Sequence, residues 1–154
     1  MFKSLFLPII AVAAFIILVG LLSQGKLITN TKILKINNLD IKVEIAKTNE
    51  EKAKGLGEKK SLDENSGMLF IFEKNSEPTF WMKDTLIPLD IIWINDNKIV
   101  GIDKNVLPEI GVSDDELTRY PAPSKIDYVL EVNSGFCDKN NIKIDQNLSG
   151  LEQL

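Results

Sequence analysis

The stretch Leu89–Ile102, LDIIWINDNKIVGI, predicts a β-hairpin at the centre of the fold. Two apolar segments flank the polar triplet Asn95-Asp96-Asn97, and a short polar turn between such segments is a strong local signal for a hairpin. Alternate side chains of a strand share a face, so Asp90 is expected to lie on the same face as two isoleucines. A carboxylate on an apolar face must be paired, hydrogen-bonded or protonated. Asp90 is therefore the first residue whose role needs explaining.

Similar short segments recur along the chain, and we expect strands in ILKI, DIKVEIA, MLFIF, TFWMK, LDIIWI, KIVGI, DYVLEVN and IKIDQNL. Thr48 and Glu51 have the spacing of a capping box, with Gly55 placed to end a short helix. GFCDKNN predicts a second helix or turn. No helix of ten or more residues separates the strands, as parallel pairs would require. The expected fold is mainly β (a β-rich α+β class), a small antiparallel barrel or two-layer sheet of about eight strands.

The amino terminus contains an apolar segment, residues 5–22, that has no charged residue. As a helix it would be roughly 27 Å long, close to the thickness of a bilayer core. We expect residues 1–25 to be a membrane anchor or uncleaved signal, 26–36 a linker and first strand, and 37–154 one β-rich domain. Three lysines after the segment argue, taken alone, against export. We nevertheless predict a single-pass protein whose domain lies outside the cytoplasm.

Composition excludes several kinds of chemistry. The net charge is −4, with acidic and basic residues interspersed, so nucleic acid is not an expected partner. The chain has no histidine, which removes Ser-His-Asp and Cys-His catalysis and the usual zinc ligand sets. One cysteine, Cys137, permits no internal disulfide and is expected to be a small buried residue. No cofactor and no metal site is predicted.

Three parts of the sequence resemble a known family. GMLFIFEKNSEPTFWMKDTLIPLDIIWIN, with KGL before it and YVLEVNSGF after it, is similar to the domain of unknown function 192 family, whose hallmark is a phrase close to F-W-M-K-N-T-x-I-P-L-D. The resemblance extends over residues 42–146. It implies a small β-rich domain, often found behind a signal or membrane segment, and it implies no particular reaction.

The sequence departs from that family pattern at three places. Asp84 stands where the phrase has Asn, Gly57 stands where a Met is expected, and Asp145-Gln146 replaces a usual Gly-Asp turn. The first change introduces a possible anion at the centre of the hallmark phrase. If this position contacts a ligand, the ligand preference of this chain would differ from that of its relatives.

Two interpretations of the hallmark region remain open. In the structural one, Asp90 accepts backbone N–H groups from the turn between Asp84 and Pro88 and fixes that loop. In the functional one, aromatic and polar side chains line a cleft for a small polar ligand; the candidates are Trp81, Lys83, Asp84, Thr85, Asp90 and Glu131. Glu131 belongs to this set because it, too, falls on an apolar strand.

The functional interpretation yields two hypotheses. The favoured one is a membrane-tethered, extracytoplasmic binding or interaction module, whose partner is a small polar ligand such as a saccharide or peptide, or an envelope protein. The alternative is a hydrolase of an envelope polymer that uses paired carboxylates. It requires two of Asp84, Asp90 and Glu131 to lie within roughly 5–10 Å of each other across an open cleft.

Overall fold

The computed structural model describes residues 30–152, which form a mainly β fold. A seven-stranded sheet curls into a half-barrel and is accompanied by a two-stranded sheet and two short helices. The elements are β1 (Thr31–Ile36), β2 (Leu39–Ala46), α1 (Asn49–Lys54), β3 (Ser66–Ser76), β4 (Thr79–Phe80), β5 (Leu89–Asn95), β6 (Lys98–Val106), β7 (Tyr120–Pro121), β8 (Ile126–Asn133), α2 (Phe136–Lys139) and β9 (Leu148–Ser149).

The predicted membrane segment, residues 5–22, lies outside the described residues. Within residues 30–152, no helix has both the length and the apolar character needed to cross a membrane.

The large sheet has the strand order β6-β5-β8-β3-β2-β1-β9. Its two edges approach each other because the segment before β9 also bonds to the β5–β6 hairpin. The Leu148 N–H donates to the Asn97 carbonyl at 2.7 Å, and Lys98 forms an isolated antiparallel bridge with Asn147. These bonds connect β9, at one edge of the curled sheet, to β6 at the other edge.

The hairpin and the first helix form where the sequence predicts them. Asp96 and Asn97 join β5 to β6 with φ angles of 48° and 76°, the left-handed pair that a tight hairpin turn requires. In α1 the Thr48 hydroxyl accepts the Glu51 N–H, and the Glu51 carboxylate accepts the Thr48 N–H. The carboxylate also accepts the Lys47 N–H, and these backbone bonds lower the pKa of Glu51.

One strand pair contradicts the expected antiparallel arrangement. β2 and β3 pair in parallel, with Lys42 opposite Ser66 and Ala46 opposite Phe70. The expectation was wrong because it required a long helix, whereas a parallel crossover requires only a connection of sufficient length. Here α1 has six residues, and an irregular segment completes the return to the start of β3.

Two predicted strands are shorter than their sequence patterns indicate. The strand in TFWMK ends at Phe80, and the chain then turns: the Thr85 N–H donates to the Met82 carbonyl, and Asp84 has a φ of 53°. IKIDQNL contributes only β9, because Asp145 takes a φ of 75° and interrupts the extended backbone. In both cases a left-handed residue lies in the stretch that is not extended, which apolar alternation alone does not reveal.

Both faces of the large sheet are buried under separate apolar clusters. One cluster includes Leu34, Val43, Ile92, Leu130 and Phe136. The other, on the opposite face, includes Met68, Phe70, Ile91, Trp93 and Val129. The strands β5 and β8 lie inside the sheet and contribute residues to both clusters. A polar side chain on either strand is therefore surrounded by apolar residues, whichever face of the sheet it lies on.

Candidate functional site

Asp90 lies on the face of β5 that carries Ile92 and Ile94, as its place in the sequence predicts, and it is 0% exposed. Its carboxylate accepts three backbone N–H groups: from Asn105 at 2.9 Å and Gly135 at 3.2 Å on Oδ1, and from Cys137 at 2.9 Å on Oδ2. The prediction that the Asp84–Pro88 turn supplies the N–H donors was wrong. Asp90 instead connects the end of β6 to the turn that begins α2, and its role is structural.

Cys137, whose backbone N–H donates to this carboxylate, is buried. Burial, and after it the charge of Asp90, raises the pKa of the Cys137 thiol far above its ordinary value. Burial and a raised pKa both disfavour the thiolate and are typical of a structural cysteine, as the sequence predicts.

Glu131 lies on the opposite face of the sheet from Asp90. In the strand register, Ile91 of β5 and Met68 of β3 flank Glu131 on either side, and both belong to the second apolar cluster. The Glu131 side chain is 5% exposed, and burial alone raises its pKa to about 8. No hydrogen bond within residues 30–152 contributes to that shift. Unlike Asp90, the Glu131 carboxyl group makes no hydrogen bond to the part of the chain that the structure describes.

Glu131 lines a cleft of about 220 Å³ between α1, β3, β4 and the segment that follows β4. The aromatic walls are Phe70, Phe72, Phe80 and Trp81, and the polar groups besides Glu131 include Lys52, Lys54, Lys83 and Thr85. Phe80 packs edge-to-face on Phe70, with ring centroids 4.9 Å apart, and on Trp93 at 5.5 Å. The walls are therefore held by the core rather than by a flexible loop.

Trp81 and Lys83 stand at the opening of the cleft. The indole of Trp81 is 42% exposed, and the guanidinium of Arg119 lies 4.1 Å from its ring centroid. The ammonium group of Lys83 pairs with the Asp114 carboxylate, and this hydrogen bond raises the pKa of Lys83. The irregular segment after β6 thus holds both side chains in position.

Asp84 and Thr85 lie in the turn that follows Lys83. Thr85 is buried, and its hydroxyl donates to the Lys83 carbonyl at 3.2 Å. Asp84 has a φ of 53°, and its carbonyl accepts the Glu58 N–H at 2.8 Å. Its left-handed conformation suits both Asn and Asp, which explains how this chain carries Asp where the family phrase has Asn.

Two of the three departures from the family phrase are neighbours in space. A Cβ atom placed on Gly57 would lie 3.8 Å from the Asp84 Cβ, and 2.8 Å from the Lys54 carbonyl oxygen. A larger residue at position 57 would require a shift of the backbone after α1. The third departure, at Asp145, falls where φ is 75°, which glycine adopts freely and Asp tolerates.

Four of the six predicted site residues, Trp81, Lys83, Thr85 and Glu131, line this one cleft. Asp84 lines an adjoining depression that shares Lys83 and Thr85, and Asp90 lies on the other face of the sheet. Sequence reasoning missed the lysines of α1 and the rings of Phe70, Phe72 and Phe80. Phe70 and Phe72 are two positions apart in a strand, a spacing that signals a shared face. No pattern in the sequence indicates that α1 folds over that face.

Fold and site define a small, mainly β protein with a cleft, lined by aromatic and basic residues, over a buried carboxyl group. Residues 32–150 match the family DUF192, described as "Uncharacterized ACR", and the chain belongs to this family. The predicted resemblance to this family is thereby confirmed.

Two solved structures are similar to this chain. A protein of unknown function from Novosphingobium aromaticivorans is 30% identical, with a TM-score of 0.70, over 77% of this chain and 84% of that one. A candidate transcription regulator from Sinorhizobium meliloti is 27% identical, with a TM-score of 0.68, over 77% of this chain and 91% of that one. No curated protein matches.

Proposed function

We propose that this chain is a ligand-binding module, tethered to the membrane by residues 5–22, whose extracytoplasmic cleft takes a small polar ligand. The observation that carries the proposal is Glu131. A carboxyl group that is 5% exposed and makes no hydrogen bond to residues 30–152 has lost most of its contact with water, which disfavours its charged form, while its oxygen atoms still reach the cleft. A ligand that pairs with Glu131 in the cleft would compensate for this loss.

The surroundings of Glu131 favour binding over hydrolysis. Carboxylate catalysis of glycoside hydrolysis needs two acids that flank one substrate bond. Asp90 and Glu131 lie on opposite faces of the sheet, and Asp90 is saturated by three backbone N–H groups. Asp84 lines the adjoining depression and not the cleft that contains Glu131. The hydrolase alternative is therefore weaker than the binding module.

The description of the Sinorhizobium meliloti relative suggests a role in transcription, which we do not extend to this chain. DNA binding draws most of its affinity from Lys and Arg contacts to phosphates. This chain has 18 Lys and Arg residues against 22 Asp and Glu residues, with a net charge of −4. A saccharide, a short peptide or another small polar molecule fits the cleft better.

The proposal is tested by a two-dimensional NMR titration of the full-length chain in neutral detergent. The panel contains neutral saccharides, short peptides, small organic acids and small amines. We expect at least one class to shift the indole signal of Trp81 and the methyl signals of Leu56, both of which line the cleft, in a saturable way. The Ile144→Ala variant, altered at an exposed residue outside the cleft lining, should bind like the wild type. A panel that leaves the cleft signals unchanged would overturn the proposed function.

A further inference from the structure

The charges around the cleft are distributed unevenly. Three lysines line it, and Glu131 is the only acidic residue among the lining residues. The Lys52 ammonium donates to the Ile71 carbonyl at 3.1 Å and lies 4.7 Å from the Phe72 ring centroid, so it is fixed at the wall. Lys83 is held by Asp114. Lys54, exposed in the last turn of α1, has no salt-bridge partner among the described residues.

Glu131 is uncharged for most of the time at pH 7, because burial raises its pKa to about 8. Its flanking neighbours on β3 and β5 are Met68 and Ile91, which have no charge. The charged groups that share the cleft with it are the lysines of α1 and Lys83. In this state Glu131 offers an O–H donor at the floor, and the lysines offer N–H donors at the walls. The cleft is therefore rich in hydrogen-bond donors and positively charged.

Most of the remaining surface of the cleft is apolar. Phe70, Phe72 and Phe80 form an edge-to-face series with centroid separations of 4.9 Å and 6.1 Å, and Trp81 extends it to the opening. An apolar cavity of about 150 Å³ is enough to bind benzene in an engineered protein, so a cleft of about 220 Å³ accepts one ring with a short polar group.

We propose that the ligand of this cleft is a small amphiphilic oxyanion, with an apolar body against the phenylalanine rings and Trp81. Its oxygen atoms accept hydrogen bonds from the Glu131 carboxyl group and from the lysines, among which Lys54 is not held by any hydrogen bond or salt bridge to residues 30–152. This inference rests on the proposed function and specifies the chemical class of the ligand. A carboxylate, a phosphate monoester and a sulfate share the chemistry that the cleft recognises.

Three probes that share a benzyl group separate the possible classes: phenylacetate is an anion, phenylacetamide is neutral and phenethylammonium is a cation. Each is titrated into the full-length chain at pH 7 while the Trp81 indole and Leu56 methyl signals are followed. Phenylacetate should bind most tightly and phenethylammonium least tightly. Lys54→Ala should weaken phenylacetate binding several-fold, whereas Lys35→Ala, a lysine of β1 outside the cleft lining, should leave it unchanged.

The pH dependence tests the role assigned to Glu131. If only the protonated form binds the anion, phenylacetate affinity should fall about tenfold between pH 7 and pH 9. Glu131→Gln preserves the size of the side chain and a donor N–H, so its affinity should be nearly constant over this range.

The outcomes separate this inference from the proposed function. If phenethylammonium binds more tightly than phenylacetate, and its affinity rises with pH, the cleft is a binding site for cations and the inference is overturned alone. The same holds if phenylacetate has no effect while another class of the panel shifts the cleft signals. If every class leaves those signals unchanged, the proposed function fails together with the inference.

Discussion

Asp90 and Glu131 are two buried carboxyl groups on neighbouring strands, and they occupy opposite chemical situations. Asp90, 0% exposed, accepts three backbone N–H groups, from the end of β6 and from the turn that begins α2. Glu131, 5% exposed, has a pKa raised by burial alone and lines a cleft. A buried acid with a full set of donors stabilises the fold, whereas a buried acid without donors weakens it. The difference separates a structural residue from a candidate binding residue.

The strand register explains how one sequence pattern produces both situations. Asp90 lies opposite Val132 and Ile91 lies opposite Glu131, so the two acids point to different faces of the same sheet. On Asp90's face, the turn that begins α2 presents its N–H groups. On Glu131's face, α1 covers the sheet only partly and leaves the cleft open. Substitutions at the two acids should therefore have different effects on stability.

The largest expected effect is on the pH dependence of stability through Glu131. Its pKa is about 8 in the folded state and 4.5 as the ordinary value, so Glu131 has no pH-dependent cost below pH 4.5, where it is protonated in both states, and it destabilises the fold increasingly as pH rises towards 8. Glu131→Gln should have the same stability as wild type at low pH, exceed it by roughly 3 kcal/mol at pH 7 and approach roughly 5 kcal/mol above pH 8. Urea unfolding of the full-length chain at several pH values measures this difference. A constant difference across the range would mean that Glu131 has a partner in the folded state.

Substitution of Asp90 should lower the stability of the protein, whereas Glu131→Gln should raise it. Asp90→Ala leaves three backbone N–H groups without an acceptor and should lower the free energy of unfolding by about 4 kcal/mol at pH 7. Asp90→Asn keeps one oxygen but turns an N–H group towards one of the donors, so an intermediate loss of about 2 kcal/mol is expected. The same urea measurements give both values. If Asp90→Asn were as stable as Glu131→Gln, the contrast between the two acids would be lost.

A smaller effect is expected where Asn105 supports Asp90. Asn105 donates its N–H to Asp90 at 2.9 Å, accepts the Ser134 hydroxyl at 2.6 Å on its side chain and has a φ of 54°. Asn105→Ala should cost about 1–2 kcal/mol through backbone strain and the lost side-chain bond. Asn141→Ala is the matched control, because Asn141 has a φ of 53° and an exposed side chain. Equal losses in thermal unfolding would show that only the strain matters.

The position of both acids on apolar strand faces could be predicted from the sequence. Alternation along LDIIWI and DYVLEVN places both acids on apolar faces, and the hairpin turn and the capping box follow from local residue preferences. A mainly β fold follows from the same alternation. These features depend on residues within a few positions of each other, where backbone geometry limits the alternatives.

The remaining features depend on contacts that spacing does not encode. The donors to Asp90 are 15, 45 and 47 residues away, and only the folded register brings them to the carboxylate. The parallel pairing of β2 with β3 follows from the length of a connection rather than from a helical pattern. The same crossover places α1 over the face that carries Glu131 and so completes the cleft. Four of the residues that line this cleft were predicted from the sequence.

The smallest expected effect on stability is at Trp81, and it tests whether the walls around Glu131 serve a ligand rather than the core. Trp81 is 42% exposed and stacks on Arg119, and such a contact between exposed groups contributes about 0.5–1 kcal/mol. Trp81→Ala should therefore change the free energy of unfolding by less than about 1 kcal/mol, yet weaken binding of any cleft ligand. Phe70→Ala, which removes a fully buried ring, should cost about 3–5 kcal/mol. If Trp81→Ala destabilised the protein as much as Phe70→Ala, the opening of the cleft would be part of the core. Glu131 would then be a buried acid with no ligand site above it.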